Sequence, residues 1–358
     1  MMLNPEDSCL LFGAGGIGSE VVDILEKLSL YPKGFIDNNK TGMLKNLPVY
    51  NLKTVPSEYK TLPVIITVFS FPESCGLKSI ASLLKQHGFK EIISFESFYL
   101  AFCQTFEKNF FWLSPPEYLQ QHAQELQAVR NMLSDQESKS LFDSIIRFRM
   151  CGKINDSPEK FPVTKQYFDD SVFRKKEFDE FWDIGAFNGD TLNSAIFNGM
   201  KFKKVIAFEP DMGNFQLLCQ FVAQNRIHFP DIQLLPCAVG DRNEILMFDC
   251  NNSGSKISSQ GSRQVPCITP QQCFHPASPD FIKMDIEGAE LSALRGMSDV
   301  IIENRPVLAV CVYHRPEDLY SIPLYLCSLL KDYNFCLRMY GEHLMDLVLY
   351  CIPREMYN

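Results

Sequence analysis

Short apolar runs alternate with amphipathic stretches over most of the chain. Residues 8–12 form a run of strand length, and residues 19–28 after it carry apolar positions at helical spacing. Runs at 34–37, 62–68 and 91–95 supply further strands, with a helix over 77–86, so this first unit closes near residue 98. Residues 99–168 lose the alternation and read as a helical connector. Ser114-Pro115-Pro116-Glu117 is a helix start, and Ser134 with Glu137 makes a capping box for a helix running to about residue 150. Residues 155–164, rich in proline and charge, are a loop. From residue 180 the alternation resumes, as it does in a parallel sheet covered by helices on both faces. The runs 335–340 and 347–352 have no helix between them, which suits an antiparallel last strand.

The turns after these strands carry the chemistry. Gly13-Ala14-Gly15-Gly16-Ile17-Gly18 is Gly-x-Gly-x-x-Gly between a strand and a helix, and Asp37 ends the next strand about 20 residues on. Gly13, Gly15, Gly18 and Asp37 are therefore a candidate nucleotide site in a Rossmann-like α/β domain. The unit is half of a full dinucleotide fold. It resembles the short nucleotide-sugar-binding domains at the front of some bacterial sugar-modifying enzymes. A vestigial scaffold used for packing or for a homodimer is the alternative, and both readings stay open.

Downstream, the strand 180–184 ends in Asp183-Ile184-Gly185-Ala186-Phe187-Asn188-Gly189-Asp190-Thr191, a glycine turn leading into a helix start. A second strand ends in Glu209-Pro210-Asp211, again about 20 residues on, where an acid meets ribose hydroxyls. The spacing fits a nucleoside cofactor. Residues 234–241 read as a strand and a glycine turn, and 253–263 as a polar loop beside the site. Ile282-Lys283-Met284-Asp285-Ile286-Glu287-Gly288-Ala289-Glu290 is a buried strand with carboxylates at its end.

With these motifs the chain resembles the class I S-adenosylmethionine-dependent methyltransferases, and more narrowly the FkbM family. Asp183-Ile184-Gly185-Ala186, Glu209-Pro210-Asp211 with Asn214, Ala238-Val239-Gly240 and the 282–290 segment carry the match. So do Tyr313-His314-Arg315-Pro316-Glu317-Asp318, Leu337-Arg338-Met339-Tyr340, and Gln166-Tyr167-Phe168 ahead of the sheet. The resemblance implies S-adenosyl-L-methionine as cofactor. Asp183, Gly185, Ala186, Asn188, Gly189 and Thr191 would surround its methionine part. Glu209 would take the ribose diol, with Pro210, Asp211 and Asn214 beside it, and Ala238, Val239 and Gly240 would flank the adenine. Asp285, Glu287 and His314 are the candidate catalytic residues on the acceptor side. Asp285 and Glu287, two apart on an extended strand end, face the same way. Glu287 and Glu290 have the plainer reading of helix-start acids. Arg338 and Tyr340 are candidates for the acceptor pocket. Hard oxygens would suit a magnesium or calcium ion at Asp285, Glu287 and His314, but spacing alone does not establish a metal.

The expected architecture is α/β. A Rossmann-like domain (1–98) and a helical connector (99–168) precede a doubly wound methyltransferase sheet with an antiparallel last strand (169–358). The expected activity is O-methylation of a hydroxyl on a sugar, glycan or natural-product precursor. An NAD(P)-dependent oxidoreductase acting through the first glycine motif, or a non-catalytic nucleotide-binding scaffold, are the rival readings. Composition narrows the partners. A net charge of −9 speaks against a nucleic-acid partner, since phosphate neutralisation needs a basic surface. The 13 cysteines lack Cys-x-x-Cys spacing and several sit in apolar runs, as reduced buried thiols do. No run reaches the roughly 20 apolar residues of a spanning helix, and the start of the chain lacks signal-peptide character, so the cytoplasm is the expected location.

Overall fold

The computed structural model describes residues 8–69, 76–106, 110, 112–249, 256–257, 263–274 and 277–357. The chain folds as two compact units. The first comprises Met1–Ala123, Leu141–Glu159 and Gly341–Met345; the second comprises Gln124–Ser140, Lys160–Tyr340 and Asp346–Asn358. Residues 99–168 are thus shared between the two.

The first unit is built on six strands: β1 (Leu10–Phe12), β2 (Gly34–Ile36), β3 (Gly42–Leu44), β4 (Leu47–Tyr50), β5 (Val64–Ile66) and β6 (Ile92–Ile93), in the order β3-β4-β2-β1-β5-β6. β1, β2 and β5 are buried along their whole length, which is why they read as continuous apolar runs without alternation. All pairings are parallel except the β3–β4 hairpin. Its two-residue turn, Lys45-Asn46, has positive φ at both positions (52° and 59°), the twist that short hairpins prefer. The expected strand 91–95 is cut short at Ile93. Ser94 caps the helix Phe95–Phe102 by accepting the Ser97 N–H, and a satisfied cap outweighs one more turn of strand. In the same unit His343 stacks on Phe69 with ring centroids 4.2 Å apart and lies against the buried carboxylate of Glu96.

The second unit carries two sheets. Its strands are β7 (Glu177–Ile184), β8 (Lys201–Phe208), β9 (Ile232–Leu235), β10 (Ala238–Val239), β11 (Glu244–Asp249), β12 (Lys256–Ile257), β13 (Arg263–Ile268), β14 (Phe281–Met284), β15 (Val307–Cys311), β16 (Tyr333–Met339) and β17 (Leu347–Pro353). The main sheet runs β16-β17-β15-β14-β7-β8-β9. β17 is antiparallel to both its neighbours and every other pairing in this sheet is parallel, which is the doubly wound sheet with an antiparallel last strand that the sequence predicts. One face is packed by phenylalanines 168, 173, 178, 181, 202 and 281; Phe181 and Phe202 stack at 4.6 Å. Removing one such buried ring typically costs about 3–5 kcal/mol.

Three local expectations change. The helix Gln136–Cys151 is capped by Asp135, whose Oδ1 accepts the Ser138 N–H at 2.6 Å, and not by Ser134. Ser134 instead exchanges two hydrogen bonds with Phe335 of β16, so the sheet takes the residue that local sequence would give to the helix. The run 234–239 is two strands: β9 ends at Leu235, and β10 joins a small sheet of order β10-β13-β11-β12. Within the expected loop 253–263, residues 256–257 are strand and 263 begins β13; the rest lies outside the described residues. The described cysteines are all free, and six are buried. Among the described residues no helix is long and apolar enough to cross a membrane.

Candidate functional site

A cleft of about 270 Å³ opens at the carboxyl ends of β7, β8 and β14, the edge where doubly wound sheets gather their ligand sites. The β7 turn forms its floor. Gly185 sits at φ +82°, and a Cβ there would lie 1.9 Å from the Asp285 carbonyl oxygen. Only glycine lets β7 and the chain after β14 approach so closely. Beneath the turn, Asp183 and Lys283 are buried cross-strand partners with Nζ 3.1 Å from Oδ1, and Lys283 also donates to the Gly185 carbonyl at 2.5 Å. Burial pushes Asp183 up to about 6, against the pull of Lys283. Burial pulls the other way on Lys283, but Asp183, Asp285 and Asp190 outweigh it and keep the ammonium charged. The pair therefore clamps the turn from below; Lys283 also lines the cleft, whereas Asp183 does not.

Glu209, at the tip of β8, does line it. Its Oε2 accepts the Phe187 N–H at 2.9 Å and its Oε1 the Asp211 N–H at 2.8 Å. Burial raises the carboxyl to about 7 in spite of those two donors. Pro210, Asn214, Ala238 and Val239 share the same wall, with Cys237 and Phe208. Asp211 does not: its Oδ1 accepts the Gly213 and Asn214 N–H groups and caps the helix Met212–Gln224. Gly240 also points away, since a Cβ there would meet Cys267 Sγ at 2.7 Å. In the β7 turn, Gly185, Phe187 and Asp190 face the cleft, whereas Ala186, Asn188, Gly189 and Thr191 do not line it. Gly189 is held at φ +93° against Phe221, where it starts the helix Asp190–Phe197.

At the other end of the cleft stand Asp285, Ile286 and Glu287 with Tyr167, Tyr313 and Asp346. Tyr167 donates to Asp285 Oδ2 at 2.7 Å. His314 lies behind them, its ring 5% exposed, with Nε2 3.2 Å from Asp285 Oδ1 and Nδ1 2.9 Å from Glu290 Oε1. Burial favours the neutral ring, but Glu290 and Asp285 more than reverse this and hold His314 well above its ordinary value. Burial likewise opposes ionisation of Asp285, and His314 and Lys283 reverse it, keeping the carboxyl well below its usual range. Asp346 is pushed up to about 6, by burial first and then by Asp285. Among the described residues, Asp285, Glu290 and His314 form the one group whose ligand atoms lie within 4.8 Å of each other as a metal site would require.

Arg338 and Tyr340 are not part of the cleft. Arg338 reaches Asp135 and Ser138 and covers the Phe161 ring, and Tyr340 donates to Asp169 at 2.9 Å. β16 is an edge strand, separated from β14 by β17 and β15, and this position keeps both residues away from the strand tips that form the cleft. Sequence reasoning passed over Asp346, and named Tyr313, Phe187, Asp190, Lys283 and Tyr167 only as motif letters. Asp346 carried no signal at all, because it reaches the cleft from the turn before β17.

In the first unit, Gly13 (φ +120°) and Gly18 are packing glycines: a Cβ would lie 2.7 Å from Val68 Cγ2 and 2.3 Å from the Gly13 carbonyl oxygen, respectively. Gly15 faces open space. Asp37 is engaged by its own chain, accepting the N–H groups of Ala14, Asn39 and Lys40 at 2.8–3.0 Å.

Residues 183–337 match the family model described as the methyltransferase FkbM domain. This stretch of the second unit is similar to FkbM methyltransferase domains, and the match supports a methyltransferase role. Among solved structures, the methyltransferase FkbM from Methylobacillus flagellatus KT superposes with a TM-score of 0.77 at 22% identity, covering 96% of this chain and 89% of that one. At that identity the likeness speaks for the fold, a class I methyltransferase fold. Two others match more weakly. The precorrin-6y C5,15-methyltransferase from Geobacter metallireducens GS-15 has a TM-score of 0.32 at 12% identity, over 53% of this chain and 83% of that one. The fibrillarin from Aeropyrum pernix, in complex with natively bound S-adenosyl-L-methionine, has 0.30 at 12% identity, over 49% and 67%. Neither carries an argument. Comparison with curated proteins found no match.

Proposed function

We propose that the second unit is an S-adenosylmethionine-dependent O-methyltransferase acting on a hydroxyl of a sugar, glycan or natural-product precursor. The observation that supports this most is Glu209. It is a buried carboxylate at the second strand tip whose two oxygens each hold one backbone N–H and keep further acceptor capacity for a diol. Gly185 lines the cleft at a close backbone approach to Asp285 that leaves room for no side chain, and Ala238 and Val239 give an apolar wall for a base. These residues fit the cofactor. When bound, it supplies an electrophilic methyl group on a sulfonium whose positive charge disappears on transfer.

The chain's own contribution is then mostly placement. Positioning of donor and acceptor in one cleft can lower a barrier by roughly 7–11 kcal/mol. A carboxylate taking the hydroxyl proton adds about 10²–10⁴-fold. Asp285 is oriented by Tyr167 and kept ionised by the nearby His314, and with Glu287 and Asp346 it offers hydrogen-bond acceptors suited to a polyol. Isothermal calorimetry with S-adenosylmethionine tests the first step. Micromolar binding is expected, and an absence of binding at millimolar cofactor would end this reading.

A further inference from the structure

Three buried polar atoms without a hydrogen-bond partner sit on two neighbouring side chains at the acceptor end: Glu290 Oε2 and both ring nitrogens of His314. Glu290 is fully buried and the His314 ring is 5% exposed. Buried groups left unsatisfied in this way call for an explanation such as an ion. The ring nitrogens are nevertheless close to carboxylates. Nδ1 is 2.9 Å from Glu290 Oε1, and Nε2 is 3.2 Å from Asp285 Oδ1 and 3.9 Å from Glu287 Oε2. A hydrogen bond requires the N–H to be aimed at the oxygen. A ring nitrogen and a carboxylate that share one cation show such a short but misaligned contact, because atoms about 2.1 Å from an ion and at right angles lie roughly 3 Å apart, aimed at the ion; an imidazole turns only one of its two nitrogens to that ion, and the other contact is a charge contact.

We propose that Asp285, Glu290 and His314 bind one divalent cation, with Glu287 able to add a further oxygen. One ligand atom from each of the three lies within 4.8 Å of the others, close to the span of two bonds of about 2.2 Å. The remaining polar contacts leave room for it. Tyr167 occupies the other Asp285 oxygen, and Ile286 N–H occupies Glu290 Oε1 at 2.9 Å while Oε2 stays unpartnered. One imidazole with carboxylates favours manganese, iron or zinc over calcium, which prefers an all-oxygen shell. Asp285 and Glu287 line the cleft, so the ion would be open to it. Its role, polarising an acceptor hydroxyl as a Lewis acid, rests on the function proposed above; the binding site does not.

The test uses the full chain, stripped with a chelator and titrated with MnCl₂ alone while free Mn²⁺ is followed by electron paramagnetic resonance. One Mn²⁺ per chain is expected, with a dissociation constant below about 100 μM. Asp285→Asn and His314→Gln should each weaken it by at least about tenfold. Pulsed resonance should detect histidine nitrogen coupled to the metal, and this coupling should vanish in His314→Gln. Should either variant fail to fold, isotopic labelling of histidine nitrogen in the unaltered protein must change the coupling pattern. No binding up to about 1 mM, binding without nitrogen coupling, or binding untouched by both substitutions would overturn the proposal and leave His314 as an imidazolium held between two carboxylates. Cofactor affinity of the stripped protein is read separately: its absence would sink the methyl-transfer reading and leave the metal result standing.

Discussion

Lys283 and Asp183 are direct register partners on adjacent parallel strands, fully buried, with the ammonium 3.1 Å from the carboxylate and 2.5 Å from the Gly185 carbonyl. The two opposite charges make each other tolerable in the sheet interior, and together they hold the turn that floors the cleft.

Removing one partner leaves an uncompensated buried charge. Lys283→Met is therefore expected to destabilise the protein by about 3–5 kcal/mol in urea denaturation, and the double variant Lys283→Met/Asp183→Leu to recover much of that loss. A single variant within about 0.5 kcal/mol of the parent would show that the pair carries no such weight.

Glu209 gives a pH dependence of defined sign. Its folded-state value of about 7 lies above the ordinary 4.5, so between those values the folded chain keeps a proton that the unfolded chain releases. Stability contributed by the neutral carboxyl is complete below about pH 4.5 and is lost as pH rises through 7, by roughly 3 kcal/mol. Denaturation midpoints at pH 5 and pH 8 should therefore converge in Glu209→Gln relative to the parent. The same substitution should weaken S-adenosylmethionine binding by about tenfold or more, the worth of a charged hydrogen bond. Equal pH slopes in the two proteins would show that Glu209 titrates normally.

Gly185 and Gly199 both have positive φ (82° and 67°), but only Gly185 has backbone in the way of a Cβ. Gly199→Ala should cost about 1 kcal/mol, the left-handed penalty alone. Gly185→Ala should cost on the order of 3 kcal/mol or more and abolish cofactor binding. Similar urea midpoints for the two would contradict the close approach at Asp285.

The glycine motif of the first unit separates in the same way. Gly15→Ala should leave the melting temperature within a degree or two, because a Cβ there meets nothing within 4 Å. Gly18→Ala would press a Cβ to 2.3 Å from the Gly13 carbonyl oxygen and should lower it clearly. Differential scanning calorimetry decides between the two outcomes.

Much of the fold was legible in local patterns. Continuous apolar runs marked the buried parallel strands, and the missing helix between the last two runs marked the antiparallel β17. Errors fell where tertiary partners overrode local signals. Ser134 reads as a cap but pairs with Phe335, and residue 95 reads as strand but begins a capped helix. Asp211 reads as a ligand group and is a helix cap.

The order of strand and helix, the glycines at strand ends and the acids Glu209, Asp285 and Glu287 were determined by sequence alone, because burial periodicity and turn chemistry act over a few residues. Only the tertiary structure decided that Lys283 serves the turn from beneath, that His314 stands behind Asp285, and that Asp346 reaches the cleft from the turn before β17. Those outcomes depend on strand register and on which carboxylates meet across it, and such distances are set by packing between segments far apart in the chain.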